Sequence, residues 1–397
     1  MEHVPQAAQH SDTEELLETM SAIPPKVVIA AGGTGGHLFP GLAVGEVLVQ
    51  RGWEVLVLTS EKAIDRVATE GRHEFRIERL PATGMPRLFS PRMIVFVVRL
   101  VVALWACVAL YRRFRPDAVL AMGGFTSTAP IIAAWICGIP AVVHESNVMP
   151  GKANRLNARF CQRVLVGFNE AKVRFGGSVE HLVEVVGTPV RKTLAGAMNR
   201  ARACELFGFD PEKPVVLVMG GSQGAQGLNR AVAAALPRIA HGDLRVQFLH
   251  LSGPDDEVLL RSLYATESIV AKVQPFCREM EAAYGSCDVV VMRSGAASLT
   301  EVAWLGLPSI LIPLPTAADD HQTLNAKVFE RSGAAVLLKQ EELGDGKVLS
   351  NVLMDVLRVQ AKRSEMAQRA AGLAVRDSAE QVAGVMEDLR LKGRAGV

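Results

Sequence analysis

Short apolar runs, each closed by glycine or a polar turn and followed by a stretch with helical spacing, recur along most of this chain. The first, Lys26-Val27-Val28-Ile29-Ala30-Ala31, ends in a glycine cluster. A run without polar alternation predicts a parallel strand buried on both faces that turns into a helix. Further runs predict strands near 54–59, 118–121, 141–144, 163–166 and 183–186 in one half. In the other half they fall near 214–219, 245–251, 268–273, 288–292, 309–312 and 335–338. Strands alternating with helices in this way predict an α/β chain built on doubly wound parallel sheets.

The pattern also repeats itself. Gly32, Gly33, Thr34 and Gly36 align at one constant offset, without gaps, with Gly220, Gly221, Ser222 and Gly224. Two similarly built halves follow. A first domain is expected over 25–190, a linker over the polar stretch 191–213 and a second domain over 214–365. Helices over 366–397 are expected to pack back on the first domain. The polar, acidic stretch 1–24 has no basic start followed by an apolar core, so it is read as an extension outside the fold and not as a signal peptide.

Residues 93–111 are nearly continuously apolar, interrupted by Arg99 and flanked by Arg87, Arg92, Arg112, Arg113 and Arg115. Their length approaches the roughly 20 residues that cross a bilayer. An arginine near the middle costs about 2.5–3.5 kcal/mol on insertion, and a crossing would split one half of a sheet from its partner. The expectation is a long helix whose apolar face is mostly buried in the first domain. Its 87–96 edge is expected to touch anionic lipid.

Composition narrows the function classes. A chain of 397 residues exceeds one ordinary core. A net charge of +2 gives no broad footprint for nucleic acid. The six cysteines lie mostly in apolar stretches without C-x-x-C pairing, which predicts buried reduced thiols and a reducing compartment. Asp-x-Asp, a common means of holding a metal on a sugar nucleotide, does not occur.

Ligands of parallel sheets bind beyond the carboxyl ends of the strands, where both glycine clusters sit. In Gly32-Gly33-Thr34-Gly35-Gly36-His37 the glycines let backbone N–H groups approach an anion at a helix N-terminus. Gly220-Gly221-Ser222-Gln223-Gly224-Ala225 offers the same geometry with a hydroxyl and an amide. Neither cluster fits G-x-G-x-x-G or G-x-x-x-x-G-K-[ST], so neither a dinucleotide fold nor a P-loop is supported. Each alone fits a tight strand–helix turn; facing each other, they predict one diphosphate shared across a cleft, its charge met by helix dipoles, backbone donors and Arg191.

The stretch Ala-Gly-Gly-Thr-Gly-Gly-His-Leu-Phe-Pro-Gly-Leu-Ala at 31–43 resembles the first glycine loop of the MurG family. Six more segments resemble that family in the same order: Met122-Gly123-Gly124-Phe125, His144-Glu145-Ser146-Asn147, Gly187-Thr188-Pro189-Val190-Arg191, 220–225, Arg293-Ser294-Gly295-Ala296 with Glu301, and Asp319-Asp320-His321-Gln322. The resemblance implies a GT-B fold, two Rossmann-like domains facing across a cleft. It also implies transfer of N-acetylglucosamine from UDP-GlcNAc to the 4-hydroxyl of MurNAc in lipid I, giving lipid II for peptidoglycan synthesis, cell shape and division. It implies no cofactor, a peripheral place on the cytoplasmic face of the bacterial plasma membrane, and an anionic membrane surface as partner.

By the same resemblance Thr34, Gly35 and Gly36 line the phosphate side of the first domain, and Asn147 reaches the donor sugar or the acceptor. Arg191 and Ser222, with the neighbouring Gln223 and Gly224, hold the diphosphate. Phe276 and Cys277 lie beside uracil. Ala296, Ala297, Ser298, Leu299, Thr300 and Glu301 form a helix start at the nucleotide, with Glu301 accepting the ribose hydroxyls, and Gln322 reads GlcNAc hydroxyls. The family often has Gln where Ser146 stands and Tyr where Phe125 stands, both on the acceptor side.

Such a reaction needs a base for the acceptor hydroxyl. His37 is a candidate because an imidazole titrates near neutrality; its alternative role is a hydrogen bond to backbone or acceptor pyrophosphate. Glu145 is the second candidate base. His144 is expected to be a hydrogen-bonded strand-end histidine, Arg293 a loop brace, and Asp319-Asp320 a helix cap and first-turn pair. Two rival functions remain in view: a UDP-GlcNAc 2-epimerase, which uses the same architecture and donor, and a donor-binding scaffold without chemistry.

Overall fold

The structure is a computed structural model that describes residues 24–62, 65–66, 69–81, 90–195, 198–221 and 225–395. The stretch 1–23, Arg87, and Ser222, Gln223 and Gly224 lie outside the described residues.

Two all-parallel sheets organise the chain. The first holds β1 (Lys26–Ala30), β2 (Glu54–Ser60), β3 (Arg76–Leu80), β4 (Ala118–Ala121), β5 (Ala141–Glu145), β6 (Arg163–Val166) and β7 (Val183–Val185). The second holds β8 (Val215–Met219), β9 (Gln247–Leu251), β10 (Ala271–Gln274), β11 (Val289–Met292), β12 (Ser309–Leu311) and β13 (Ala335–Leu337). Strand orders are β3-β2-β1-β4-β5-β6-β7 and β10-β9-β8-β11-β12-β13. Each is the doubly wound order whose direction of travel reverses at its first strand, β1 or β8, and a ligand crevice opens there. Val27, Val28, Ile29, Val216, Leu217 and Val218 are fully buried, as strands covered by helices on both faces require.

Three departures from the sequence pattern have physical causes. The strand β3 (Arg-Ile-Glu-Arg-Leu) has no apolar run, because it is the sheet's edge, pairs with β2 alone and leaves Arg76 and Arg79 in water. The segment 191–213 is not a free linker. Leu194, Cys204 and Phe209 are built into the core of the second domain, and the helix Arg200–Phe207 packs on the helix Met280–Ser286. The chain crosses near Gly187 instead, where φ is +75° and a Cβ would stand 2.5 Å from Val375 on the returning strand of chain. The helix Gln360–Ala371 stays on the second domain through Met366 and Ala370. Only the helix Ser378–Ala395 lies on the first, burying Val382, Ala383, Met386 and Leu389 where it packs on the helix Gly35–Gln50 and on β4.

The third departure is the helix Arg92–Phe114, whose apolar face is not mostly buried. Ala103, Cys107, Val108, Tyr111 and Phe114 pack on the sheet and on the helix Thr128–Ile136. The first half instead presents Ile94, Val95, Val97, Val98, Val101, Val102 and Trp105 to the outside, Ile94 at 72% and Trp105 at 60% exposure. Trp135 and Ile136 are exposed as well, on the neighbouring helix. The helix does not cross between compartments: the strands on either side of it, β3 and β4, belong to one sheet.

Candidate active site

The two glycine loops leave β1 and β8 in matching conformations. Gly33 has φ +106° and Gly221, its counterpart in the repeat, has φ +100°. A Cβ on Gly32 would stand 2.4 Å from the Ser60 amide nitrogen, and one on Gly220 2.3 Å from the Ala225 Cβ. Corresponding positions thus both exclude a side chain, Gly32 because the end of β2 lies against it and Gly220 because its own loop folds back on it. The loops then diverge, the first entering its helix at Gly35 and the second at Gln226. Thr34 precedes the helix Gly35–Gln50 without a side-chain cap; the His37 N–H turns back on the Thr34 carbonyl at 3.1 Å, which leaves the Gly35 and Gly36 N–H groups at the positive end of the helix dipole.

Both loops open on one cavity of about 430 Å³ between the domains. The first domain contributes Thr34, Gly35, Gly36, Phe39 and Arg72. The second contributes Met219, Gly221, Leu251, Pro275, Phe276, Cys277, Arg278, Met280, Gly295, Ala296, Ala297, Ser298 and Glu301, and Arg191 lies between. A Cβ on Gly36 would be 4.0 Å from that of Ala297, so the N-termini of Gly35–Gln50 and Ala296–Leu305 meet at the cavity. Two helix N-termini converging on one space make an anion site. Phe276 is half exposed, a flat apolar wall, while the neighbouring Cys277 thiol is buried and pushed up to about 11 by that burial.

Arg191 and Glu301 meet across this cavity. Arg191 stacks on the Phe39 ring at 4.3 Å, and its Nη2 is 3.4 Å from Glu301 Oε1. Glu301 Oε2 accepts the Tyr284 hydroxyl at 2.8 Å. Burial, with Glu301 adding to it, holds that phenol well above its ordinary pKa, so it stays a donor. Two of the expected contact residues fall elsewhere. Leu299 is turned into the core by the helical period, and the Thr300 hydroxyl is spent on the Ala296 carbonyl at 2.9 Å.

His37, Glu145, Asn147 and Gln322 surround the cavity's inner end without lining it. The His37 Nδ1 lies 3.2 Å from Thr34 Oγ1. Its ring is wrapped by the backbone of Gly123 and Gly124, where a Cβ would come within 3.3 Å and 3.2 Å of it. Burial lowers its pKa; Glu145 and Asp65 oppose that and Lys62 adds to it. Glu145 organises a loop. Its Oε1 accepts from Asn147 N and Nδ2 at 2.8 and 2.9 Å, and its Oε2 from Gly151 N and Asn154 Nδ2 at 2.9 and 2.8 Å. Those four donors occupy the lone pairs a carboxylate has.

The loop so held is tied to the second domain by Asn325. Its Nδ2 donates to Asn147 Oδ1 at 3.0 Å and its Oδ1 accepts the Val148 N–H at 2.9 Å. Gln322, on the same helix (His321–Arg331), accepts from Leu314 N at 3.0 Å and Ser294 N at 3.3 Å through Oε1, which leaves its amide N–H groups for a hydroxyl ligand. His144 bonds the Gly187 carbonyl through Nε2 at 2.8 Å. Arg293 braces the Ile312 and Pro313 carbonyls, each at 3.0 Å. Asp319 and Asp320 do not cap with their side chains: both have left-handed φ of 51°, and Asp319 reaches Arg155 of the first domain at 3.5 Å.

Phe39, Arg72, Tyr284 and Asn325 were not legible as site residues. Phe39 alone carried a usable signal, one helical turn beyond Gly35 on the same face.

Comparison with known proteins agrees with this geometry. Residues 27–166 match the glycosyltransferase family 28 N-terminal domain, and 215–382 its C-terminal domain. Among curated relatives, the UDP-N-acetylglucosamine–N-acetylmuramyl-(pentapeptide) pyrophosphoryl-undecaprenol N-acetylglucosamine transferase of Xylella fastidiosa is 38% identical over 361 residues, 91% of this chain and 96% of that one. Its namesake in Xanthomonas oryzae pv. oryzae is 40% identical over 91% of this chain and 78% of its own. The crystal structure of Acinetobacter baumannii MurG superposes with a TM-score of 0.71 at 27% identity, covering 92% of this chain and all (100%) of that one. A UDP-GlcNAc 2-epimerase from Neisseria meningitidis superposes at 0.67 with 14% identity over 91% of this chain and 100% of its own, a likeness of fold alone. The chain belongs to glycosyltransferase family 28, within its MurG family of N-acetylglucosamine transferases.

Proposed function

We propose that this protein transfers N-acetylglucosamine from UDP-GlcNAc to the 4-hydroxyl of MurNAc in lipid I, forming lipid II. The observation that carries the proposal is the single cavity on which both glycine loops and two helix N-termini converge, with Glu301 and Phe276 beside them. The uridine lies along Phe276 and Cys277, Glu301 accepts the ribose hydroxyls, and the diphosphate meets the amides of Gly35 and Gly36 with Arg191. Gln322 donates to the sugar hydroxyls. As the bond from the anomeric carbon to UDP breaks, the acceptor oxygen attacks from the opposite face and its proton passes to His37. We place the base at His37 because the Glu145 lone pairs are already engaged.

A transfer assay with UDP-GlcNAc and a soluble lipid I analogue tests this. A β-linked disaccharide product is expected, with the rate insensitive to EDTA because helix amides and Arg191 supply the positive charge. An α-linked product by NMR, or UDP-ManNAc from UDP-GlcNAc alone, sinks the assignment.

The exposed face of the helix Arg92–Phe114 supports a peripheral place on the membrane. Its apolar stripe, bordered by Arg92, Arg99, Arg112 and Arg113, suits a helix lying in the surface of an anionic membrane on the cytoplasmic side, where lipid I can be reached. Each such side chain fully buried contributes about 1.5–3 kcal/mol. The pair Val98→Glu and Val101→Glu is therefore expected to weaken binding to phosphatidylglycerol vesicles by on the order of 100-fold, while turnover of the soluble analogue is unchanged. Equal vesicle binding by the variant removes this face from the membrane.

A further inference from the structure

The chemistry above gives no task to Asp65 or Lys62, yet both converge on the first glycine loop. Asp65 is fully buried. Its Oδ2 accepts the Gly33 N–H at 2.9 Å, the Ser60 N–H at 2.9 Å and the Ser60 hydroxyl at 2.5 Å, while Oδ1 is buried without a partner among the described residues. Lys62 Nζ donates to the Gly33 carbonyl at 2.9 Å, and Thr126 Oγ1 to the Gly32 carbonyl at 2.8 Å. The peptide groups on both sides of Gly33 are thereby fixed at a backbone conformation that only glycine adopts easily. Fixing the Gly33 carbonyl toward Lys62 turns the Thr34 N–H, anti to it across the planar peptide, the other way. Thr34 in turn holds the His37 Nδ1 and starts the helix whose amides line the cavity. Loop shape alone does not call for a buried carboxylate with an unpaired oxygen, because burying that charge is costly.

We propose that Asp65 and Lys62 are positioning residues for glycosyl transfer, clamping Gly33 from opposite sides so that the Gly35–Gly36 amides and the His37 ring meet donor and acceptor in register. Their opposite charges also act on the imidazole. The titratable and charged groups facing His37 are Glu145 and His144 from β5, and Asp65 and Lys62 from the segment after β2. Asp65 raises the His37 pKa and Lys62 lowers it.

The effect on pH dependence rests on His37 as the base; the clamp does not. The test uses the full chain carrying Asp65→Asn or Lys62→Met, with kcat and KM measured against pH on the soluble lipid I analogue and amide exchange at Gly33 followed in parallel. Lys62 is at the surface, so its variant is not at risk of unfolding. Asp65→Asn is expected to lower kcat by on the order of 10²-fold, the usual cost of a misplaced reacting group, with faster exchange at Gly33. Its acid limb moves to lower pH, whereas that of Lys62→Met moves to higher pH and Lys62→Arg restores the parent profile. Opposite movements of this kind are foreign to a residue that only stabilises the fold. Faster exchange and a lowered kcat with an unmoved limb keep the clamp and count against His37 as the titrating base. Parent-like kcat and Gly33 exchange in both Asp65→Asn and Lys62→Met overturn the proposal.

Discussion

Replacing His37 with alanine is expected to lower kcat for transfer by about 10²–10⁴-fold, the range a positioned general base supplies, while UDP binding stays at the parent value. The geometry sets both halves of that expectation. His37 is not among the residues lining the donor cavity, but it lies directly behind Gly35 and Gly36, which are. With Thr34 Oγ1 at 3.2 Å from Nδ1, a proton on Nδ1 leaves the Nε2 lone pair free to accept one from the substrate hydroxyl. Burial holds the imidazole below its ordinary pKa, with Glu145 and Asp65 opposing, so the ring is neutral at pH 7 and competent as a base. The sign for activity follows. kcat/KM falls as pH drops through the folded-state pKa, and because that pKa is lowered, the acid limb lies below that of an unperturbed histidine. The alanine variant loses this limb together with the rate. Single-turnover kinetics on the soluble analogue, with calorimetry of UDP binding, check it. Full turnover in His37→Ala takes the residue out of the chemistry, and a retained limb transfers the titration to another group.

How much of this was legible in the sequence depends on whether a residue's role is local. Strands buried on both faces announce themselves, because Val27-Val28-Ile29 or Val215-Val216-Leu217 can only be apolar throughout. The two glycine loops are legible for the same reason: Gly33 and Gly221 need a left-handed backbone, and Gly220 is crowded by Ala225 of its own loop, whatever lies elsewhere. The helix Arg92–Phe114 shows the opposite case. An apolar residue reads alike whether it faces a core or the outside, and only the packed structure separates Cys107, fully buried, from Trp105, 60% exposed. The stretch 191–213 misleads because its few core anchors, Leu194, Cys204 and Phe209, are diluted by a polar outer face. Asn325 is invisible for a third reason. Its meaning lies in a contact with Val148 and Asn147 of the other domain, far away in the chain, and a lone Asn in a polar helix gives no hint of it.

The second large effect is expected at Glu301. Of its two oxygens, Oε2 is satisfied by the Tyr284 hydroxyl at 2.8 Å, while among the described residues Oε1 has only the long 3.4 Å contact to Arg191. A contact of that length is weak, so Oε1 is the atom available to ribose hydroxyls. The side chains of Arg191 and Glu301 are 15% and 13% exposed, which keeps the pair largely out of water and its charges little screened. Hydrogen bonds to a charged group contribute about 1.5–3 kcal/mol, so Glu301→Ala is expected to raise the Kd for UDP by roughly 10- to 100-fold. It also strands the Arg191 guanidinium, whose Nε is already buried without a partner among the described residues, and leaves the Tyr284 hydroxyl with the Met219 sulfur at 3.7 Å. Glu301→Gln preserves the acceptor for Tyr284 and should lose less. Tyr284→Phe, which removes the brace but keeps the carboxylate, should lose least. That ranking separates charge from shape: if Gln and Ala weaken UDP equally, the negative charge is what the ribose recognises. Calorimetry with UDP alone measures all three, and parent-like affinity in Glu301→Ala removes this carboxylate from the donor site.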